Sequence, residues 1–413
     1  MTSKKRKFKK FKYEPISMRE ILREMKHNID LMIDLAYTAI KFGSKEIAEE
    51  VYKIEQRIHE LTFLLSFQII QTRPRGFKNA KRLEPIIVMG YSIDKISDAL
   101  SDIAQVVNIN SDISNFTQLF WDYVPEPILK VSVNKGCDFI GKDRKDVHFR
   151  SKHGVNLIAI RRDGKWLFSK DEKVELNDIL IVKGEKEPLM KLKEECFDKG
   201  PISFQIEKEI EGPIFDISDP EIEELFYKYV QLTDISETMT ELALASLFFN
   251  NDELAEDVLE MEEIIDGLNI NFEKEVLELA NRSDRTRDLT GIMRIIFSCE
   301  LIADAASNIA ESILKGFTPH KILQKAIEET TEIVVRERLS KDSFFKGKKY
   351  KELQDSRYKR GFNIIALKRE KKWKYYFEPD FVFKEGDLVI GLGPKETVEE
   401  WRYCVNPEKV NKE

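Results

Sequence analysis

The chain of 413 residues is poor in the residues that anchor many enzyme classes. It has four Cys, at 137, 196, 299 and 404, and no C-x-x-C pair. That excludes a zinc knuckle and a thioredoxin-type motif, and it fits a reduced, cytosolic chain with Cys196 and Cys404 buried as small apolar groups. Five His argue against a His-rich zinc enzyme. No serine elbow, P-loop, H-E-x-x-H or EF-hand loop is present. Long apolar runs are also missing: Leu61–Ile70 is the most apolar stretch, far below the ~18 residues of a membrane helix. No apolar segment follows the basic N-terminus, so no secretory signal is expected. A net charge of −7 gives no case for a nucleic-acid binder.

What is present is a repeat. At an offset of about 207 residues, Met32–Glu55 (MIDLAYTAIKFGSKEIAEEVYKIE) matches Met239–Glu262 (MTELALASLFFNNDELAEDVLEME), with nine of 24 positions identical. Asp94–Ala104 matches Glu300–Ala310, and Gly154–Arg162 matches Gly361–Arg369. Each half opens with three segments of helical period, at about 17–42, 46–72 and 77–110 and again at about 219–249, 252–282 and 285–316. Gly43 ends the first helix and Ser44 caps the second. The steps Ile93, Ile96, Leu100, Ile103 and Val107 make a seam suited to bundle packing. Each half closes with β-branched runs: Ile128–Val133, Gly154–Arg162 and Ile179–Val182, then Glu332–Arg338, Phe362–Lys368, Trp373–Phe377 and Leu388–Gly391. Asp163-Gly164 is a hairpin turn signal. Helical period returns at Pro188–Phe197 and Lys395–Tyr403. The fold class expected is α+β: two three-helix antiparallel bundles, each followed by a small α/β domain. The divisions are a basic tail at 1–13, bundles at 14–124 and 219–329, α/β domains at 125–198 and 330–405, and a linker at 199–218.

These residues carry a resemblance. The helical parts resemble PhoU-like three-helix domains. The α/β parts resemble the RCK C-terminal (TrkA-C) domain through Phe139–Lys142, Gly154–Arg162 and Asn177–Gly184, and again through Gly347-Lys348, Gly361–Arg369 and Gly386–Ile390. Asn177 stands where the family has Gly, and Glu370-Lys371-Lys372 replaces the Asp-Gly turn. The nucleotide-binding lobe of the larger RCK module has no counterpart: Gly391-Leu392-Gly393 is followed by Pro394 and reads as a strand end.

The resemblance implies regulation rather than catalysis. It implies a cytosolic, non-enzymatic sensor of cation transport, potassium above all, whose two RCK-C domains pair within the molecule and bind a small ligand between them. The implied partner is a membrane cation transporter or channel, with the chain at the inner membrane face, not spanning it, and with a homo-oligomer open. A cyclic dinucleotide or another nucleotide is the implied ligand. Arg150 and Asn156, with Arg357 and Asn363 in the second copy, are its candidate contacts, since a guanidinium suits phosphate. The plainer reading leaves Arg150 at a helix end and Asn156 at a strand start. Arg161-Arg162 and Lys368-Arg369 read as solvated strand ends, and Trp166 and Trp373 as sheet packing.

The alternative is a PhoU-like, metal-binding regulator of phosphate uptake. Its divalent metal would sit on paired carboxylates, Asp94 and Asp98 with Glu55 beside His59, and Glu300 and Asp304 with Glu262 and Asp266. Spacing i,i+4 puts each pair on one helix face. Asp30 with Asp34, and Glu237 with Glu241, have the same spacing. The bland reading of all of them is a solvated acidic stripe.

Overall fold

The computed structural model describes residues 13–109, 126–168, 171–196, 220–282, 286–327, 332–353, 361–375 and 377–410. The basic tail through residue 12, the linker at 199–218 and Arg357 lie outside the described residues.

The first half opens with α1 (Met18–Phe42), α2 (Lys45–Gln71) and α3 (Glu84–Ile109). A capping box starts α1: the Glu20 amide donates to Ser17 Oγ, and the Ser17 amide donates to the Glu20 carboxylate at 2.9 Å. Gly43, at φ 57°, ends it, and the Ile47 amide donates to Ser44 Oγ to start α2. A short helix at Phe77–Lys81 precedes α3, where the sequence pattern suggests one continuous segment. Then come β1 (Ile128–Ser132), β2 (Val155–Arg162), β3 (Lys165–Leu167), β4 (Ile179–Gly184) and the helix α4 (Lys186–Cys196). The second half repeats this with α5 (Pro220–Phe249), α6 (Asp252–Arg282), α7 (Thr286–Leu314), β5 (Glu332–Arg338), β6 (Asn363–Arg369), β7 (Lys372–Lys374), β8 (Leu388–Pro394) and α8 (Val398–Val405). Asn251 takes the capping role of Ser44, accepting from the Leu254 amide at 3.0 Å.

Both sheets are antiparallel, in the orders β1-β4-β2-β3 and β5-β8-β6-β7. Each has an irregularity at the same repeat position, Leu157/Ala159 and Ile364/Ala366. The positive backbone φ of the turn that Gly386 makes (86°) falls on Asn177 (69°) in the first copy, a conformation Asn tolerates better than most residues. The glycines of the G-x-G are packing residues inside β8. A Cβ on Gly393 would lie 2.6 Å from the Phe362 ring, and one on Gly391 would lie 2.7 Å from Trp401.

Strand alternation splits each sheet between two cores. Ile158 and Ile181 join a core that runs unbroken through both bundles, as do Ala366 and Ile390. Leu157, Leu180 and Val182 face the other way, into a core closed by α4. The second such core is aromatic, with Phe345, Phe362, Phe383 and Trp401. The bundles meet along α3 and α7, where Arg294 reaches Asp102 at 3.1 Å.

Two expectations are corrected here. Arg162 and Arg369 are not solvated strand ends. Each clasps a fully buried carboxylate through two hydrogen bonds, Arg162 to Asp178 at 2.8 Å and Arg369 to Asp387 at 2.7 Å. Arg161 and Lys368 pair with Glu46 on α2 and Glu260 on α6, tying each sheet to its own bundle. Secondly, Cys196 is not a lone buried thiol. Cys137 and Cys196 form a disulfide, their Cα atoms 4.1 Å apart because α4 returns beneath β1. Ser343 holds the matching position in the second copy, so Cys404 stays a buried thiol outside any disulfide. Trp166 and Trp373 pack at the sheet–bundle contact, Trp373 donating to Glu260 at 3.0 Å.

Replacing Arg369 by Met leaves Asp387 buried without its counter-charge. Urea unfolding is expected to show a loss of about 3 kcal/mol or more, while Lys371→Met, at an exposed turn, shows little change.

Candidate functional site

The sheet faces that look toward the bundles meet the first helices, α1 and α5, around a cavity of about 170 Å³. Lys183 reaches it by the same alternation that buries Ile181 two residues earlier in β4. Its ammonium lies 3.5 Å from Asp34 of α1 and is paired with Glu237 of α5. Asn156, opposite Lys183 in the β2–β4 register, donates to the other Asp34 oxygen at 3.0 Å. One turn away, Lys26 bridges Asp30 at 2.5 Å and Glu241 at 3.1 Å. The acid pairs of α1 and α5 therefore face each other across the molecule and share two lysines.

The two sheet domains touch at the same place. Arg150 points between Glu126 and Glu332, at 3.6 and 3.4 Å, with its side chain 12% exposed. Glu126 and Glu332 are repeat equivalents, Glu126 just ahead of β1 and Glu332 at the start of β5. Tyr350 of the second domain donates to Glu185 of the first at 2.7 Å. The Gly361 backbone packs on Arg150 and Ser151.

Burial and charge act against one another here. Burial alone pulls the ammonium of Lys183 down, but Glu237 and Asp34 outweigh it and hold it above its ordinary value. Lys26 is raised in the same way by Asp30 and Glu241. Burial pushes the Asp34 carboxyl up to about 6; Lys183 opposes this, and Glu237, Glu332 and Glu126 add to it. Asp234 is held well above the carboxylate range by burial and then by Glu237. Lys41 is lowered to about 8 by burial. The site is thus acid-rich, and Asp34 and Asp234 hold their protons to higher pH than exposed carboxylates do.

Of the residues that the sequence nominates for ligand contact, Arg150 and Asn156 both reach this region and both bind carboxylates of the chain itself. Asn363 is buried opposite Leu392, and its Nδ2 has no hydrogen-bond partner among the described residues. The residues nominated for a metal gather elsewhere, one set per bundle. On α2 and α3, Glu55, His59 and Asp98 bring ligand atoms within 4.8 Å of one another. His59 Nε2 lies 3.0 Å from Asp98 and 3.7 Å from Asp94, Ser101 donates to Glu55, and Thr62 donates to Asp94. On α6 and α7, Glu262, Glu300 and Asp304 are each raised by burial and then by neighbouring carboxylates, Asp266 among them. An imidazole with carboxylates fits a borderline divalent metal; the all-carboxylate set fits a harder one.

Sequence reasoning missed Lys183, Glu126, Glu332 and Tyr350. Lys183 left one trace, a charge closing the apolar run Ile179–Val182.

Asp34 binds a proton more readily in the folded chain than in the unfolded one, so its ionisation lowers stability as pH rises from about 4 through 6. Asp34→Asn removes that titration. The melting temperature of the variant is expected to gain on the parent between pH 4.5 and 7.5; a flat difference would contradict this assignment.

Comparison with known proteins follows the same division. The PhoU domain family matches residues 22–107 and 229–313, and the TrkA-C domain family matches residues 128–196. The uncharacterized protein MJ1641 of Methanocaldococcus jannaschii is 24% identical over 144 residues, 32% of this chain and 47% of that protein, so the match spans about half of the relative's length. Among solved structures, PhoU from Pseudomonas aeruginosa is 12% identical, with 75% of this chain and 96% of that chain covered and a TM-score of 0.39. The GsuK RCK domain is 14% identical, covering 69% of this chain and 64% of that chain at a TM-score of 0.18. With helical bundles that match PhoU twice and a sheet domain that matches TrkA-C, its strand order repeated in the second half, the chain is a PhoU and RCK-C protein.

Proposed function

We propose that the chain is a regulatory protein of cation transport, potassium in particular, which senses a small ligand held between its RCK-C domains and passes the signal to a membrane transporter through its bundles. Both domain families are regulatory rather than catalytic. Among the described residues no helix is long and apolar enough to cross a membrane.

The observation that carries this reading is the cavity at which both bundles and both sheets meet. A ligand there touches α1, α5 and the sheets at once, so it can favour one relative placement of bundles and sheets over another. A surface for the partner is also available. Phe63, Phe67 and Ile70 on α2 are exposed, and Ile270 and Leu277 repeat the pattern on α6.

The grouping of Glu55, His59 and Asp98 favours a second reading, a metal-binding regulator of phosphate uptake. Those residues would hold the ion, which would fix α2 against α3; Glu262, Asp266, Glu300 and Asp304 would do the same for α6 and α7.

Uptake assays in cells lacking and regaining the chain separate the two. Potassium or rubidium uptake is expected to change severalfold while phosphate uptake holds. The reverse outcome transfers the assignment to the second reading. That second reading makes its own demand: the purified chain retains stoichiometric transition metal through dialysis and loses the α2–α3 equivalent in Asp98→Asn, as read by elemental analysis.

A further inference from the structure

We propose that the cavity between α5, α1 and the two sheets binds a small organic ammonium ion. This deepens the ligand-sensing reading and rests on it.

The charges point to a cation. Five carboxylates line the cavity, those of Asp34, Glu126, Asp234, Glu237 and Glu241, against two lysines, Lys41 and Lys183. Lys183 is taken by Asp34 and Glu237, and the neighbouring Lys26 and Arg150 by Glu241 and Glu126. Asp234 has no hydrogen bond and no ion pair within 4 Å among the described residues. The repeat explains the surplus. Lys183 faces Asn156 in the first sheet, and Leu392 faces Asn363 in the second. One copy supplies a cation to the acids of α1 and α5; the other supplies an apolar wall. An anionic ligand would meet like charge, and desolvating it there would be unfavourable.

The shape points to an organic cation. Among the described residues, the three metal-type donors that approach within 4.8 Å are Glu55, His59 and Asp98, away from this cavity; its own carboxylates surround a space rather than converge on a point. Ile128, Ile364 and Leu392 offer apolar wall, and Tyr37, Tyr229, Tyr350 and Tyr375 offer ring surface of the kind that attracts ammonium groups. Tyr375 is 6% exposed and its hydroxyl has no hydrogen-bond partner among the described residues, an unmet polar atom in the wall. A volume of about 170 Å³ is below the ~300–1,000 Å³ of drug-sized sites, so the ligand is small.

The test holds shape fixed and changes charge. The full chain is titrated calorimetrically with phenethylammonium, 2-phenylethanol and phenylacetate, and with KCl and MgCl2 alone. Phenethylammonium is expected to bind about tenfold or more tighter than the neutral and anionic probes. Leu392→Lys, which gives the second sheet the cation of the first, and Asp234→Asn, which keeps the shape, are each expected to weaken it about ten- to hundredfold. Leu392→Met, which keeps the wall apolar, retains binding, and thermal melts report whether each variant is folded. Equal binding of the three probes, preference for the anion, saturation by K⁺ or Mg²⁺ alone, or full binding by folded Leu392→Lys overturns the proposal. Uptake assays separate the readings. If the chain alters potassium flux and binds no ammonium probe, only this inference fails. If it binds the probe and leaves flux unchanged, the transport reading fails.

Discussion

Lys183 sits in a sheet and its charge is answered by helices of both bundles, Asp34 from the first and Glu237 from the second. A lysine taken this far from water needs both partners, since removing a partner from a buried ion pair typically costs about 3–5 kcal/mol. The contact therefore fixes three bodies at once. It also fixes register. A slip of one residue in β4 would turn Lys183 into the core that holds Leu180 and Val182, and would turn Ile181 away from the bundles. The placement of the first sheet on both bundles follows from that arrangement, and Arg150–Glu332 and Tyr350–Glu185 join the second sheet domain to it.

The fold was legible in the sequence wherever its signal is local. Period 3.6, period 2, the Gly43-Ser44 punctuation and the Asp-Gly turn each report on neighbours in the chain, and the duplication showed each of them twice. Contacts across the repeat were not legible. Asp30 with Asp34 and Asp94 with Asp98 share one spacing and have opposite surroundings. The first pair faces the other bundle and two lysines; the second faces α2 and His59. Helix spacing gives the face, and the partner of that face depends on how the bundles dock. Cys137 and Cys196 were illegible for the same reason, being 59 residues apart and joined only by the return of α4.

Comparison of the copies separates what the domain needs from what one copy has acquired. The Arg162–Asp178 and Arg369–Asp387 clasps are present in both, as are the sheet order and the irregularity beside Leu157 and Ile364. Three of the many differences fall in places of chemistry: His59 against Asp266, Cys137 against Ser343, Lys183 against Leu392. The shared set builds the scaffold, and the divergent set marks where each half has been free to change.

Joining the copies in one polypeptide has a consequence for dose and response. Two separate chains would meet with an affinity set by their concentration, whereas the tethered halves find each other at an effective concentration fixed by the chain itself. A pair of identical subunits must offer any off-axis pocket twice. Here Lys183 and Leu392, at matching positions of the two copies, line one and the same space among the described residues. A ligand of the kind proposed would fill such a pocket along a simple saturation curve in each chain, without the steepness that paired sites allow, and the readout would be graded rather than switch-like.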